Sequence, residues 1–449
     1  MLRQNKIQKK PMENAAEKQM LWGHPRGLYT LFMTEFWERF SFYGMRALLV
    51  LFLIAEVESG GFGFTTEKAA SIYGWYTSLV YMTAIVGGWV ADRILGLYRA
   101  VFVGGIIIAA GHFCLAMGSV ELFFVGLALI IIGTGLLKPN ISSMVGTLYG
   151  KNDPKRDGGF SIFYMGINLG AFIAPLICGT LGQKYNWHYG FGAAGVGMLF
   201  GVLQFTWGRK YFSQERIDLK KDKVEEIEKA GKYKYTTEEK MKIAAICVFF
   251  IFSSLFWGAF EQAGSSLNIF ADQLTRTSLF GFDFPSTWFQ SLNPVFIIAL
   301  SPVFAWAWVA LGKKEPSSPA KFAFGLVFVG LGFFLLAFGA MFTGGGESLV
   351  SPLWLVGVYL LHTIGELCLS PVGLSMVTKL APARLVGSMM GVWFLSISLG
   401  NKLGGIAAGF FETLPLPTLF GAVGLTTTVA AVVLVLVMKP IKKLMGDVH

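Results

Sequence analysis

The chain has 449 residues, 54% of them hydrophobic and 14% charged, with a formal net charge of +10. That composition excludes a soluble globular domain, whose surface needs more charge than these residues supply. The apolar residues fall in runs long enough to cross a hydrocarbon core of roughly 30 Å, which takes about 20 helical residues.

In chain order, residues 1–24 are polar and basic. A polar, basic start of this kind is not expected to be a cleavable signal, and the first apolar run is expected to act as an uncleaved insertion signal. Spans are predicted at about 27–54, 69–91, 98–119, 122–148, 158–182, 189–208, 243–271, 285–311, 320–342, 352–378, 386–410 and 416–438. Lys68, Lys184 and Arg276 fall on one side of these spans, and Arg39, Arg46, Lys138 and Lys402 fall inside them. Nearly all other Lys and Arg fall on the opposite side, which the positive-inside bias assigns to the cytoplasm together with both termini. Basic loops against anionic lipid account for the net charge, so no nucleic-acid partner is expected.

The longest polar stretch, 209–242, divides the chain into 1–208 and 243–449. It reads as a basic cytoplasmic linker, with a short surface helix at 213–230 on Ile217, Val224 and Ile227. Thr236-Thr237-Glu238-Glu239 offers a capping-box start to the next span. Twelve spans in two six-helix bundles make an all-α membrane protein with the arrangement of the major facilitator fold.

The 55 glycines suit close helix packing, and Gly166–Gly170 and Gly405–Gly409 are small-xxx-small pairs. Cys114, Cys178, Cys247 and Cys368 lie in apolar runs and read as buried thiols, not a disulfide framework or metal site. His112 and His362 read as packed core residues. Walker A, H-E-x-x-H and G-x-S-x-G motifs are absent from the sequence, so neither an enzyme nor a metal or organic cofactor is expected.

The informative residues are charges inside spans. Glu35, Glu38, Arg39 and Arg46 share the first span, and four charges facing lipid alone would cost on the order of 10 kcal/mol. At a helical repeat, Glu35, Arg39, Tyr43 and Arg46 fall on one side and Glu38 lies close to it. The helix therefore presents a polar stripe to something other than lipid. A self-neutralising ion-pair patch is the alternative, but it leaves Arg46 as a surplus cation. Lys138, Glu261 and Glu366 add charges from spans 4, 7 and 10, as a midplane site between two bundles requires. Lys402, near the end of span 11, is expected to snorkel. Tyr81, Asn168, Asn293, Ser370 and Trp393 add polar groups, with interhelical hydrogen bonding the default for each Asn. Gly88-x-x-x-Asp92-Arg93-x-x-Gly96-x-x-Arg99 resembles the loop motif of the major facilitator superfamily, in which Asp92 and Arg93 would form a conformational latch.

Glu35-x-x-Glu38-Arg39-Phe40-x-x-Tyr43-Gly44 matches the first-helix motif of the proton-dependent oligopeptide transporter family. Phe160-Ser161-Ile162-Phe163-Tyr164-x-x-Ile167-Asn168-x-Gly170 is similar to its fifth-helix signature. Gly88-x-x-Ala91-Asp92, Lys138-Pro139-Asn140, Glu261-Gln262, Asn293-Pro294 and Glu366-x-x-x-Ser370-Pro371 follow the same pattern. The resemblance covers most of the chain and implies a proton-coupled symporter of di- and tripeptides. It implies that Glu35, Glu38, Arg39 and Glu261 couple protons, with Glu261 trading partners with Arg46. Arg46 and Lys138 would bind the substrate carboxylate. Glu366, Asn168 and Asn293 would bind its amino end, and Tyr43, Tyr81, Ser370 and Trp393 would line the pocket.

The chain lacks the two extra helices of many bacterial members and the large external domain of animal members, and looks prokaryotic. A monomer in the cell membrane is implied. The alternative function is a symporter of the same family for a non-peptide anion, such as nitrate or a carboxylated drug. A membrane sensor or embedded enzyme is a remote third.

Overall fold

Apolar runs with no water to satisfy their backbone groups must bond internally, so the chain folds almost entirely into helices. A computed structural model describes residues 20–150, 153–212, 235–279, 281–382 and 385–446. The surface helix expected at 213–230 lies outside these residues.

The long helices are α1 (Arg26–Ile54), α2 (Thr66–Val90), α3 (Leu97–Leu115), α4 (Val120–Thr147), α5 (Arg156–Ala174) and α6 (Trp187–Trp207) before the linker. After it come α7 (Thr237–Phe260), α8 (Leu292–Leu311), α9 (Ser318–Ala340), α10 (Leu353–Leu380), α11 (Val386–Ala408) and α12 (Leu416–Leu436). A short terminal helix, α13 (Met438–Met445), follows. Ten of the long helices are apolar enough to cross a membrane by length and composition alone. The charged α1 and α11 complete the predicted set. Two short hairpins, β1–β2 (Met20–Leu21 with His24–Pro25) and β3–β4 (Ser278–Leu279 with Phe282–Asp283), decorate the connections.

Helix starts follow local chemistry. Thr65, Ser119 and Asn186 each accept a backbone N–H in the first turn of α2, α4 and α6. The predicted capping box is present at α7, where Thr236 and Glu239 bond reciprocally. α5 continues through a π turn at Pro175–Gly179 into Thr180–Lys184. α7 breaks into a 3-10 turn at Glu261–Gly264 before resuming as Ser266–Gln273. Such breaks occur where the backbone is shielded from lipid by protein or lines a cavity.

Small residues set the helix contacts. Gly104 and Gly111 of α3 face Gly133 and Gly126 of α4. Gly166 and Gly170 of α5 lie under the Phe32 and Phe36 carbonyls of α1, as the small-xxx-small pattern predicts. Between halves, α2 packs on α11. A Cβ on Gly405 would sit 2.7 Å from the Gly74 Cα, so only glycine permits this approach. Gly409 instead faces chiefly its own preceding turn and Glu67, so the second predicted pair packs through Gly405 alone. Ser78 and Ser398 hydrogen-bond beside that contact at 2.8 Å.

One expectation is corrected. Cys178 and Cys368 are buried, but Cys114 is half-buried and Cys247 exposed, and all four are free. An apolar run places a residue in a span without deciding between protein and lipid, because both sides are apolar.

Candidate functional site

The polar stripe of α1 faces inward. Glu35, Glu38, Arg39 and Arg46 are all buried. Arg39 Nη2 donates to Glu38 Oε1 at 2.6 Å, its Nε also bonds Glu38 Oε2, and Nε lies 3.3 Å from Glu35 Oε1. Glu35 Oε2 has no hydrogen-bond partner among the described residues. One guanidinium thus serves two carboxylates, leaving one acid in excess.

Two turns further along α1, Arg46 reaches across the halves. Its Nη2 lies 2.6 Å from Glu261 Oε2, at the break in α7. Its Nε donates to the Tyr73 hydroxyl of α2 at 2.6 Å, and that hydroxyl donates to the Glu261 carbonyl at 3.4 Å. The guanidinium also lies 5.6 Å from the Tyr43 ring centroid. Arg46 is therefore paired with an acid of α7 and not with the excess acid of its own helix.

The surplus cation is Lys138. Its ammonium sits 3.8 Å from the Tyr81 ring centroid and has no ion pair among the described residues. Glu366 is the matching acid: its Oε2 accepts from Asn293 Nδ2 at 2.9 Å and has no cationic partner among the described residues. Asn293 also donates to Thr363 Oγ1 at 3.1 Å. The Arg46–Glu261 pair is the direct contact between charges of the two halves.

A cavity of about 1350 Å³ is lined by Tyr164 and Asn168 of α5, Ser301 and Trp308 of α8, and Ser370 of α10. It extends to the face that carries the linker, where Glu315, Lys321, Lys379 and Lys442 line it. The opposite face is closed across the halves. Gln183 Nε2 donates to Asp272 at 2.9 Å and to Ser286 at 2.7 Å, while Gln183 Oε1 accepts from Thr287 Oγ1 at 2.9 Å. Trp288 Nε1 donates to Thr180 Oγ1 at 2.9 Å, and Asn268 donates to the Ala47 carbonyl at 2.8 Å. The molecule is thus open toward the linker face and shut on the other. Among the described residues no cluster of His, Cys, Asp and Glu is arranged to hold a metal.

A family model described as the POT family matches residues 98–225 and 217–422. The chain belongs to the POT family. The uncharacterized transporter YclF of Bacillus subtilis (strain 168) is 46% identical, over 95% of this chain and 96% of that protein. A di-/tripeptide transporter of Lactococcus lactis subsp. cremoris is 38% identical, over 97% and 99%. A peptide transporter POT solved in complex with sulfate is 42% identical with a TM-score of 0.88, covering 98% of this chain and 99% of that one.

Within this POT-family chain the expected residues are not all in one place. Asn168 and Ser370 line the cavity, whereas Tyr43, Arg46, Tyr81, Lys138, Asn293 and Glu366 are not among its lining residues, and Trp393 is buried against Phe322 and beside Gly373. Asp92 and Arg93 are exposed, and Arg93 lies 5.6 Å from the Trp89 ring centroid. They make no ion pair among the described residues. Lys402 is half-buried and sits 4.2 Å from the Trp75 ring centroid, a contact between α11 and α2. His112 and His362 are buried, as expected. Sequence reasoning missed Tyr73, which holds both partners of the α1–α7 ion pair. It also missed Gln183 and Asp272, whose contact depends on the ends of two distant helices.

Proposed function

We propose that this protein imports di- and tripeptides with protons by alternating access, and that the present conformation opens to the cytoplasm. The carrying observation is that two half-buried charges within the spans, Lys138 and Glu366, have no ionic partner among the described residues and are opposite in sign. A peptide zwitterion needs both its ends resolvated when it leaves water. Lys138, with Arg46, suits the carboxylate. Glu366, held by Asn293, suits the ammonium, while Asn168, Tyr43, Tyr81 and Ser370 meet the parts between. Glu35, Glu38 and Glu261 carry the proton. The Glu35–Glu38–Arg39 group has one carboxylate beyond its cation, and a transported proton neutralises that excess. A substrate carboxylate that competes for Arg46 releases Glu261, and a buried carboxylate without a cation favours its protonated form. The Arg46–Glu261 pair ties α1 to α7 while the far side is shut, so its release loosens that closure. Asp92 and Arg93 latch the cytoplasmic side in the opposite state. The protein sits as a monomer in the cell membrane with cytoplasmic termini, following its charge bias.

The test is uptake of labelled dialanine into proteoliposomes with an imposed inward proton gradient, with Glu38→Gln alongside. Accumulation above the external concentration is expected for the wild type and equilibration alone for the variant. Equal wild-type accumulation with and without the gradient rejects proton coupling. The second reading, a non-peptide anion, is favoured by Lys138 but leaves the Glu366 carboxylate without a cationic partner. Binding of labelled nitrate that unlabelled dialanine does not displace supports it instead.

A further inference from the structure

The large cavity is unevenly charged. Every charged side chain that lines it lies at its cytoplasmic end: Glu315, Lys321, Lys379 and Lys442. Glu315 is taken up by Lys321, whose Nζ lies 2.5 Å from its carboxylate and 4.4 Å from the Trp308 ring centroid. Lys379 and Lys442 have no ion pair among the described residues, which leaves the rim positive. The rim is also built. Lys321 is itself buried. Lys442 is carried by α13, whose Ile441 and Met445 are buried against the bundle, so the helix fixes where that ammonium stands. Lys379 ends α10, the helix that holds Glu366 and Ser370. Nine residues of helix separate Ser370 from Lys379, about 14 Å.

We propose that Lys379 and Lys442, beside the Lys321–Glu315 pair, form a second anion subsite at the inner mouth, which takes the carboxylate of a peptide leaving or re-entering from the cytoplasm. The inference rests on the peptide-transport reading. A peptide released from Lys138 and Arg46 keeps its charged carboxylate, and the polar wall between offers serine hydroxyls but no cation. The lysine rim supplies the next cation along the path. It acts only when the inner side is open, so its effect belongs to one membrane face.

The test uses the full chain in right-side-out and inside-out membrane vesicles, measuring dialanine exchange for the wild type and for Lys379→Gln/Lys442→Gln. Each lost charge about 7 Å from a carboxylate in water weakens attraction about threefold. The inner-face KM should therefore rise about fivefold to tenfold while the outer-face KM is unchanged. Alaninyl-alaninamide, which has no carboxylate, should show no inner-face change. Lys379→Arg/Lys442→Arg should restore the wild-type inner KM, which separates charge from misfolding. An inner KM that does not move, or that moves equally on both faces, overturns the proposal. Dialanine affinity is also compared in phosphatidylcholine nanodiscs with and without phosphatidylglycerol. A difference between wild type and variant that needs phosphatidylglycerol assigns the lysines to a lipid phosphate and overturns it as well. Absence of wild-type exchange from either face defeats the transport reading itself, a distinct result.

Discussion

Replacing Glu366 by Gln tests the binding logic at its most exposed point. The carboxylate accepts one hydrogen bond, from Asn293 at 2.9 Å, and has no cationic partner among the described residues. Glutamine keeps an oxygen for that donor, so the change leaves no unpaired group and alters little but charge. A hydrogen bond to a charged group contributes about 1.5–3 kcal/mol. At about 1.4 kcal/mol per decade, that is about a 10- to 150-fold loss in affinity for a free-amino peptide. An N-acetylated peptide has no ammonium to lose, so its affinity should stay within a factor of about two of the wild type. The assay is displacement of labelled dialanine by unlabelled dialanine and by N-acetyl-dialanine, on both proteins. The wild type should prefer the free amine strongly and the variant should bind the two alike. A variant that keeps the wild-type preference would refute the assignment of Glu366 to the amino end.

Glu261→Gln leaves Arg46 buried with only Tyr73 for company, a loss of about 3–5 kcal/mol in the state described here. Gradient-driven accumulation in proteoliposomes should disappear while peptide exchange persists, and retained accumulation would contradict the coupling role. Tyr73→Phe removes the hydroxyl that accepts from Arg46 Nε at 2.6 Å. It should destabilise by about 1.5–3 kcal/mol, read as a lowered Tm in detergent; an unchanged Tm would show that the bond contributes nothing. Gly405→Leu drives a side chain into the Gly74 backbone at 2.7 Å. It should cost about 1–3 kcal/mol or more and depress uptake, whereas Gly421→Leu, whose Cβ meets nothing within 4 Å, should leave both Tm and uptake unchanged.

The spans were legible because length and hydropathy are properties of one segment. The stripe of α1 was legible for a similar reason: buried charge is costly enough that its helical phase alone implies a protein interior. Partner choice was not. Arg46 looks surplus within α1, and only the fold brings Glu261 from the other half beside it. Tyr73 carries no special signal, since a tyrosine in a span is as readily packing as clamp. Cys247 shows the limit of hydropathy, which reads a lipid-facing position and a core position alike. The Trp75 ring beneath Lys402 was not legible either, because it comes from α2 across the halves. Trp393 fills the space beside Gly373, a packing relation that the spacing of neither residue reveals.

The close approach of Gly74 and Gly405 has a mechanical consequence. Two backbones that meet without interleaved side chains act as a bearing: one can roll on the other with no knobs to unseat. From Gly405 to Gly391 the helix runs about 21 Å toward the cytoplasmic end. A tilt of about 10° at that bearing swings the far end through an arc of about 4 Å. The lever is long and its pivot is smooth, so modest changes in charge at the centre become displacements large enough to pass a small solute.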